Sequence, residues 1–115
     1  MDILVIDKHV RMDAIRKIAK ETYKDMAKAV VDVSKKIVAV GGELHADAEA
    51  ILLDSGSKQI DLWGINIYPD KPKAERIQYT SFINIRPSHG NTAMEVKDDG
   101  VRQRIRAVVD ALIGD

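Results

Sequence analysis

Two β-branched runs, Val30-Val31-Asp32-Val33 and Ile37-Val38-Ala39-Val40, are separated only by Ser34-Lys35-Lys36. Side chains of this type favour extended backbone. A link this short returns the chain antiparallel, because a parallel crossover needs a dozen residues or more. The segment therefore reads as a hairpin, and the rest of the chain has to pack on it or beside it.

Its neighbours follow from periodicity. Ile3 to Ile6 is a short β-type run. From Arg11 to Met26 the apolar positions Met12, Ile15, Ile18, Ala19 and Met26 recur at helical spacing, with Asp13 near the positive end of the helix dipole. Ile60–Tyr68 and Ile77–Arg86 alternate apolar and polar residues as two further strands, joined by a loop from Pro69 to Ala74. Val101, Ile105, Val108 and Leu112 mark a C-terminal helix with Asp98 and Asp99 as candidate caps. Residues 43–53 stay ambiguous. Their Ala, Glu and Leu content suits a helix, whereas unbroken alternation from Glu43 to Ala50 has the period of a half-buried strand. The strand is the reading adopted, with the helix as its alternative.

The expected fold class is α+β, a mostly antiparallel β-meander sheet flanked by an N-terminal and a C-terminal helix on one face. The opposite face would then be wet or covered by a partner. At 115 residues the chain is expected to form a single domain, 1–115. It has no cysteine, which removes disulfides and thiolate metal sites. No apolar run approaches the roughly 18 residues of a membrane span, and the first residues lack the basic and long apolar regions of a secretion signal. A cytoplasmic location is expected, with no membrane partner. Eighteen basic residues balance eighteen acidic ones. Nucleic-acid binding therefore ranks last, because neutralising phosphates normally requires a basic excess.

Strand parity would line the uncovered face with polar residues, and His45-x-Asp47 is its sharpest signal. Residues i and i+2 of a strand point the same way about 6.6 Å apart, so Glu43, His45 and Asp47 are candidate ligands for a divalent metal such as zinc, manganese or iron. Glu49 is a further candidate, and on a helix it would instead share a face with His45 while Asp47 turned away. His45, Glu49 and His89 are the candidate acid–base groups. Arg86, Asn91 and Asn66 are the candidate ligand-binding groups, the Arg86 fork suiting a carboxylate or phosphate. The plainer reading of the same residues is a solvated polar edge whose ion pairs are worth under about 1 kcal/mol each. In that reading Pro87 and Gly90 merely shape a turn. No serine lies in a nucleophile-elbow context, and no phosphate-binding glycine loop is present.

Three segments, Val38-Ala-Val-Gly-Gly-Glu-Leu-His-Ala-Asp47, Asp61-Leu-Trp-Gly-Ile-Asn-Ile-Tyr-Pro69 and Asn84-Ile-Arg-Pro-Ser-His-Gly-Asn91, resemble a small archaeal and bacterial family known as a domain of unknown function. The resemblance implies a free-standing prokaryotic domain of about this length and supplies no activity. The function expected from the residues is a small cytoplasmic binding or interaction domain with a protein partner or a second copy, forming a homodimer through its open sheet face or an edge strand. The alternative is a metal-assisted hydrolase acting on an anionic, phosphoester-type substrate.

Overall fold

The computed structural model describes residues 2–115. Strand β1 (Ile3–Ile6) is followed by helix α1 (Met12–Glu21), the hairpin of β2 (Ala27–Asp32) and β3 (Ile37–Gly41), and helix α2 (His45–Asp54). Strands β4 (Leu62–Ile67) and β5 (Ile77–Gln78) come next, then helix α3 (Asp99–Leu112). The sheet runs β1-β3-β2-β4-β5, and every neighbouring pair is antiparallel. The α+β class and the hairpin are as the sequence predicts.

The strand order departs from a simple meander. β1 and β2 both pair with β3, so they run parallel to each other with β3 between them. β3 and β4 likewise run parallel on either side of β2. The chain thus makes two split β-α-β crossovers, one through α1 and one through α2. Both step the same way across the sheet, but the second starts from strands of opposite direction. Right-handed connections of that kind place their helices on opposite faces.

The packing agrees. Met12, Ile15 and Ala19 of α1 and Ile105, Val108 and Leu112 of α3 share one core with Val31, Val40, Trp63, Ile65 and Ile67. The two terminal helices therefore cover one face, as expected. Ala48 and Leu52 of α2 close the other face over Val30, Ala39 and Leu62. The expectation of an uncovered polar face is corrected by this finding.

The strand reading of residues 43–53 is corrected as well. His45, Ala48 and Leu52 are buried at helical spacing, while Ala46 and Ala50 are exposed. The apparent alternation had counted alanines as apolar, although alanine's strongest preference is for helix rather than burial. Of the strand expected over Ile77–Arg86, only Ile77–Gln78 pairs in the sheet; Phe82–Asn84 and Pro87–His89 are 3₁₀ turns. Ser81 starts the first of these, its hydroxyl accepting from the Ile83 amide at 3.3 Å. The helix predicted from Arg11 ends at Glu21 rather than Met26, because Lys24 adopts a left-handed φ of 74° and sends its amide back to the Ala19 carbonyl at 2.6 Å. The predicted cap of α3 is present: Asp98 accepts from the Val101 amide at 3.0 Å.

Gly41 ends β3 with φ +120°, and a Cβ there would lie 2.8 Å from the Asp2 carbonyl oxygen. Both the backbone angle and the contact exclude a side chain. Gly41→Ala is expected to cost about 2 kcal/mol, read as a lower midpoint in urea unfolding; an unchanged midpoint would mean that β1 yields at no cost.

Candidate functional site

Two of the polar residues singled out from sequence, Arg86 and Asn91, serve with Asn84 to close and brace the outer edge of β4. β5 pairs with β4 only at Asn66 and Ile67, which leaves the outward backbone groups from Ile60 to Gly64 without a strand. Side chains take the place of that strand. The Asn84 amide oxygen accepts from the Gly64 amide at 2.8 Å, and its NH2 donates to the Gly64 carbonyl at 2.9 Å. A carboxamide carries the same donor and acceptor as a peptide group, so it can close a ladder in place of backbone. Gly64 makes the approach possible, since a Cβ there would sit 2.5 Å from Ser81 Cβ. Arg86 continues the edge, donating to the Leu62 carbonyl and to the Ile60 carbonyl at 3.4 Å. Its guanidinium lies 4.6 Å from the Trp63 ring centroid. Asn91 braces the loop from behind: its NH2 reaches the Asn84, Ala93 and Glu95 carbonyls at 2.8, 2.8 and 3.0 Å, and its oxygen accepts from the Lys97 amide.

The Arg86 fork expected to hold an anion is therefore turned on the protein's own backbone. Burial lowers the Arg86 pKa from its ordinary value, with Glu49 and then Asp61 opposing the shift. Glu49 acts from α2, where it lies half-buried one turn after His45. Glu49 Oε2, Arg86 Nε and Asn66 Oδ1 are buried without a protein hydrogen-bond partner. Asn66 donates to Gln78 Oε1 at 2.8 Å.

His45 is buried, and its Nε2 lies 2.7 Å from the Ile65 carbonyl oxygen, so that nitrogen carries the proton. Burial lowers its pKa to about 4, opposed by the hydrogen bond to the Ile65 carbonyl and reinforced by Lys28, with nearby Asn66 opposing it slightly. Asp47 and Glu43 are exposed. They line a hollow of about 240 Å³ beside Ile3 and Gly42, whose lining does not include His45. On a helix, positions i and i+2 diverge, so His45 and Asp47 point apart, and the Glu43–His45–Asp47 ligand set is not assembled. Among the described residues, no three His, Asp or Glu side chains lie where they could share a metal ion. His89 sits exposed on its turn, with Nδ1 2.9 Å from Ser88 Oγ, in a cleft of about 380 Å³ floored by Trp63 and walled by Asn91 and Lys97.

Sequence reasoning missed two features. One is the role of Asp32, which strand parity would place on an open polar face but which is fully buried, its carboxylate accepting from the Ser34 and Lys35 amides at 2.9 and 2.8 Å and from Ser57 Oγ at 2.6 Å. An Asp opening a polar turn was the available signal. The other is the contrast between the two sheet edges. The β4–β5 edge is closed by Asn84 and Arg86. β1, with Leu4 and Val5 each 42% exposed, has no strand on its outer side among the described residues.

Fold and site together define a small α+β domain with helices on both faces of an antiparallel sheet and one bare sheet edge. The chain belongs to the family described as "Protein of unknown function (DUF5674)", which matches residues 4–112. No curated protein and no solved structure matches the chain. No helix among the described residues is long and apolar enough to cross a membrane.

Proposed function

We propose that this protein is a small interaction domain whose β1 edge accepts an extended strand. The observation that carries the reading is the unequal treatment of the two edges. Exposed edges invite pairing with other chains, and proteins blunt them with short strands, charges, proline or covering side chains. The β4 edge is blunted by a two-residue strand, a carboxamide and a guanidinium. The stretch Ile3–Ile6 contains no charge, proline or glycine. An added strand would satisfy its outward backbone groups and cover Leu4 on one face and Val5 on the other, since successive side chains alternate.

Selecting a phage-displayed peptide library on dilute immobilised protein tests this directly. The enriched peptides are expected to alternate apolar residues, to bind at micromolar concentration, and to lose at least tenfold in affinity on Val5→Lys. Val5 is outward-facing, so this substitution should leave the circular dichroism spectrum unchanged. Peptides that bind wild type and Val5→Lys equally, or no enrichment at all, would sink the reading.

A further inference from the structure

We infer that the hollow between the β2–β3 turn and helix α3 is a binding site for a small carboxylate with an apolar body. No residue of β1 lines it, so the inference stands apart from the edge-pairing reading.

The hollow, of about 280 Å³, lies where Val33 of the hairpin meets the C-terminal half of α3. That is just under the ~300–1,000 Å³ of sites for drug-sized molecules, so its occupant is small. Val33, Val108 and Leu112 belong to the main core and give the hollow an apolar lining. The space exists because α3 also presents Ala107 and Ala111, four residues apart on one face of the helix, where longer side chains would fill it.

The rest of the lining is two cations, Lys36 from the hairpin turn and Arg104 from α3, and no acid. Among the described residues neither cation has a carboxylate within ion-pair distance. For Arg104 the sequence gives the reason. Gly100, Val101, Ala107 and Val108 occupy the positions three and four residues away, where a helical partner would have to sit. The neighbouring arginines are committed, Arg102 to the Val96 carbonyl at 2.6 Å and Arg106 to Asp110 at 3.6 Å. The acids that flank the lining in sequence are committed too, Asp110 to Arg106 and Asp32 to the amides of Ser34 and Lys35. A chain whose net charge is +0 thus sets two unanswered cations beside an apolar surface. An amphiphilic anion is the complement of that arrangement. Its body displaces water from Val33, Val108 and Leu112, and its carboxylate meets a guanidinium fork and an ammonium.

Titration of octanoate into the isotope-labelled protein, followed by NMR, tests the inference. Amide shifts are expected to centre on Val33, Lys36 and Arg104–Leu112, with submillimolar affinity. Octanol, which lacks the charge, should bind roughly fivefold more weakly, the scale of an exposed ion pair. Lys36→Asn, which suits the left-handed φ of 59° at that position, and Arg104→Gln should each weaken octanoate roughly threefold and leave octanol unchanged. Ala107→Leu should abolish octanoate binding by filling the hollow, and Ala111→Leu takes its place should that variant fail to fold. Equal affinities for octanoate and octanol, or an octanoate affinity unmoved by both charge variants, overturn the inference. So does octanoate that shifts residues elsewhere, or that still binds the leucine variants. Shifts of the same amides with protein concentration alone would make the hollow a contact between copies and overturn it as well.

Discussion

Asn84→Ala is expected to lower the stability of this protein by about 3 kcal/mol, a fall of roughly 12 °C in the unfolding midpoint for a chain of this size. Asn84 is fully buried, and its carboxamide pairs both backbone groups of Gly64 while also donating to the Met94 carbonyl at 3.0 Å. Truncation leaves those groups buried without partners, and each such group costs about 1–3 kcal/mol. Gly64 brings no side chain of its own that could fill the gap. Asn84→Asp makes the argument sharper. It keeps an acceptor for the Gly64 amide but turns a carboxylate oxygen on two carbonyls, so its deficit should shrink as pH falls and the carboxyl takes up a proton. Thermal unfolding of the three proteins at pH 7 and pH 5 measures both effects. A loss under about 1 kcal/mol for Asn84→Ala would show that water reaches the β4 edge and that the side-chain ladder is dispensable.

The second large effect is a pH dependence. His45 is buried and neutral, with its pKa lowered to about 4 by burial first and Lys28 next. In the unfolded chain the imidazole titrates near 6.5. Between those values the unfolded state binds a proton that the folded state refuses, so acid favours unfolding. The stability that the neutral imidazole confers is complete above about pH 6.5 and is lost as pH falls towards 4, a total of about 3 kcal/mol. His45→Gln keeps an amide donor for the Ile65 carbonyl without the titration. Urea unfolding at pH 7 and pH 4 should show wild type losing about 3 kcal/mol more than His45→Gln. Equal losses would mean that His45 takes up its proton in the folded protein. The same measurement bears on chemistry, because an imidazole held this far below neutral pH against a backbone carbonyl is poorly placed to donate a proton near pH 7.

Much of the fold was legible in the chain. β-branched runs flanking Ser34-Lys35-Lys36 announced the hairpin, and helical spacing announced α1 and α3. Trp63, Ile65 and Ile67 alternated towards the core they occupy. Residues 43–53 were misread because alanine fits either periodicity, and only the sheet beneath decides which alanines are covered. Reading that segment as a helix would have made it a crossover and, through handedness, put it on the face opposite α1. The strand expected over Ile77–Arg86 was misread for a related reason. Its isoleucines alternate, yet Ser81 and Asn84 bond locally and to Gly64, and those bonds outweigh the weak pairing preference of an edge segment.

The candidate residues follow the same division. His45, Asn66, Arg86 and Asn91 stood out in sequence as candidate ligand, acid–base or anion-binding groups, and the structure buries all four. Which partners they take could not be read from spacing. A guanidinium can donate to a ligand's carboxylate or to a backbone carbonyl, and only the position of β4 beside Arg86 decides between them. Local periodicity and turn chemistry are properties of the chain alone, and they determined the hairpin, the two outer helices and the α+β class. The side of the sheet for α2, the committed donors of Asn84 and Arg86, and the one edge left bare at β1 were decided by tertiary packing, because each depends on a neighbour twenty or more residues away.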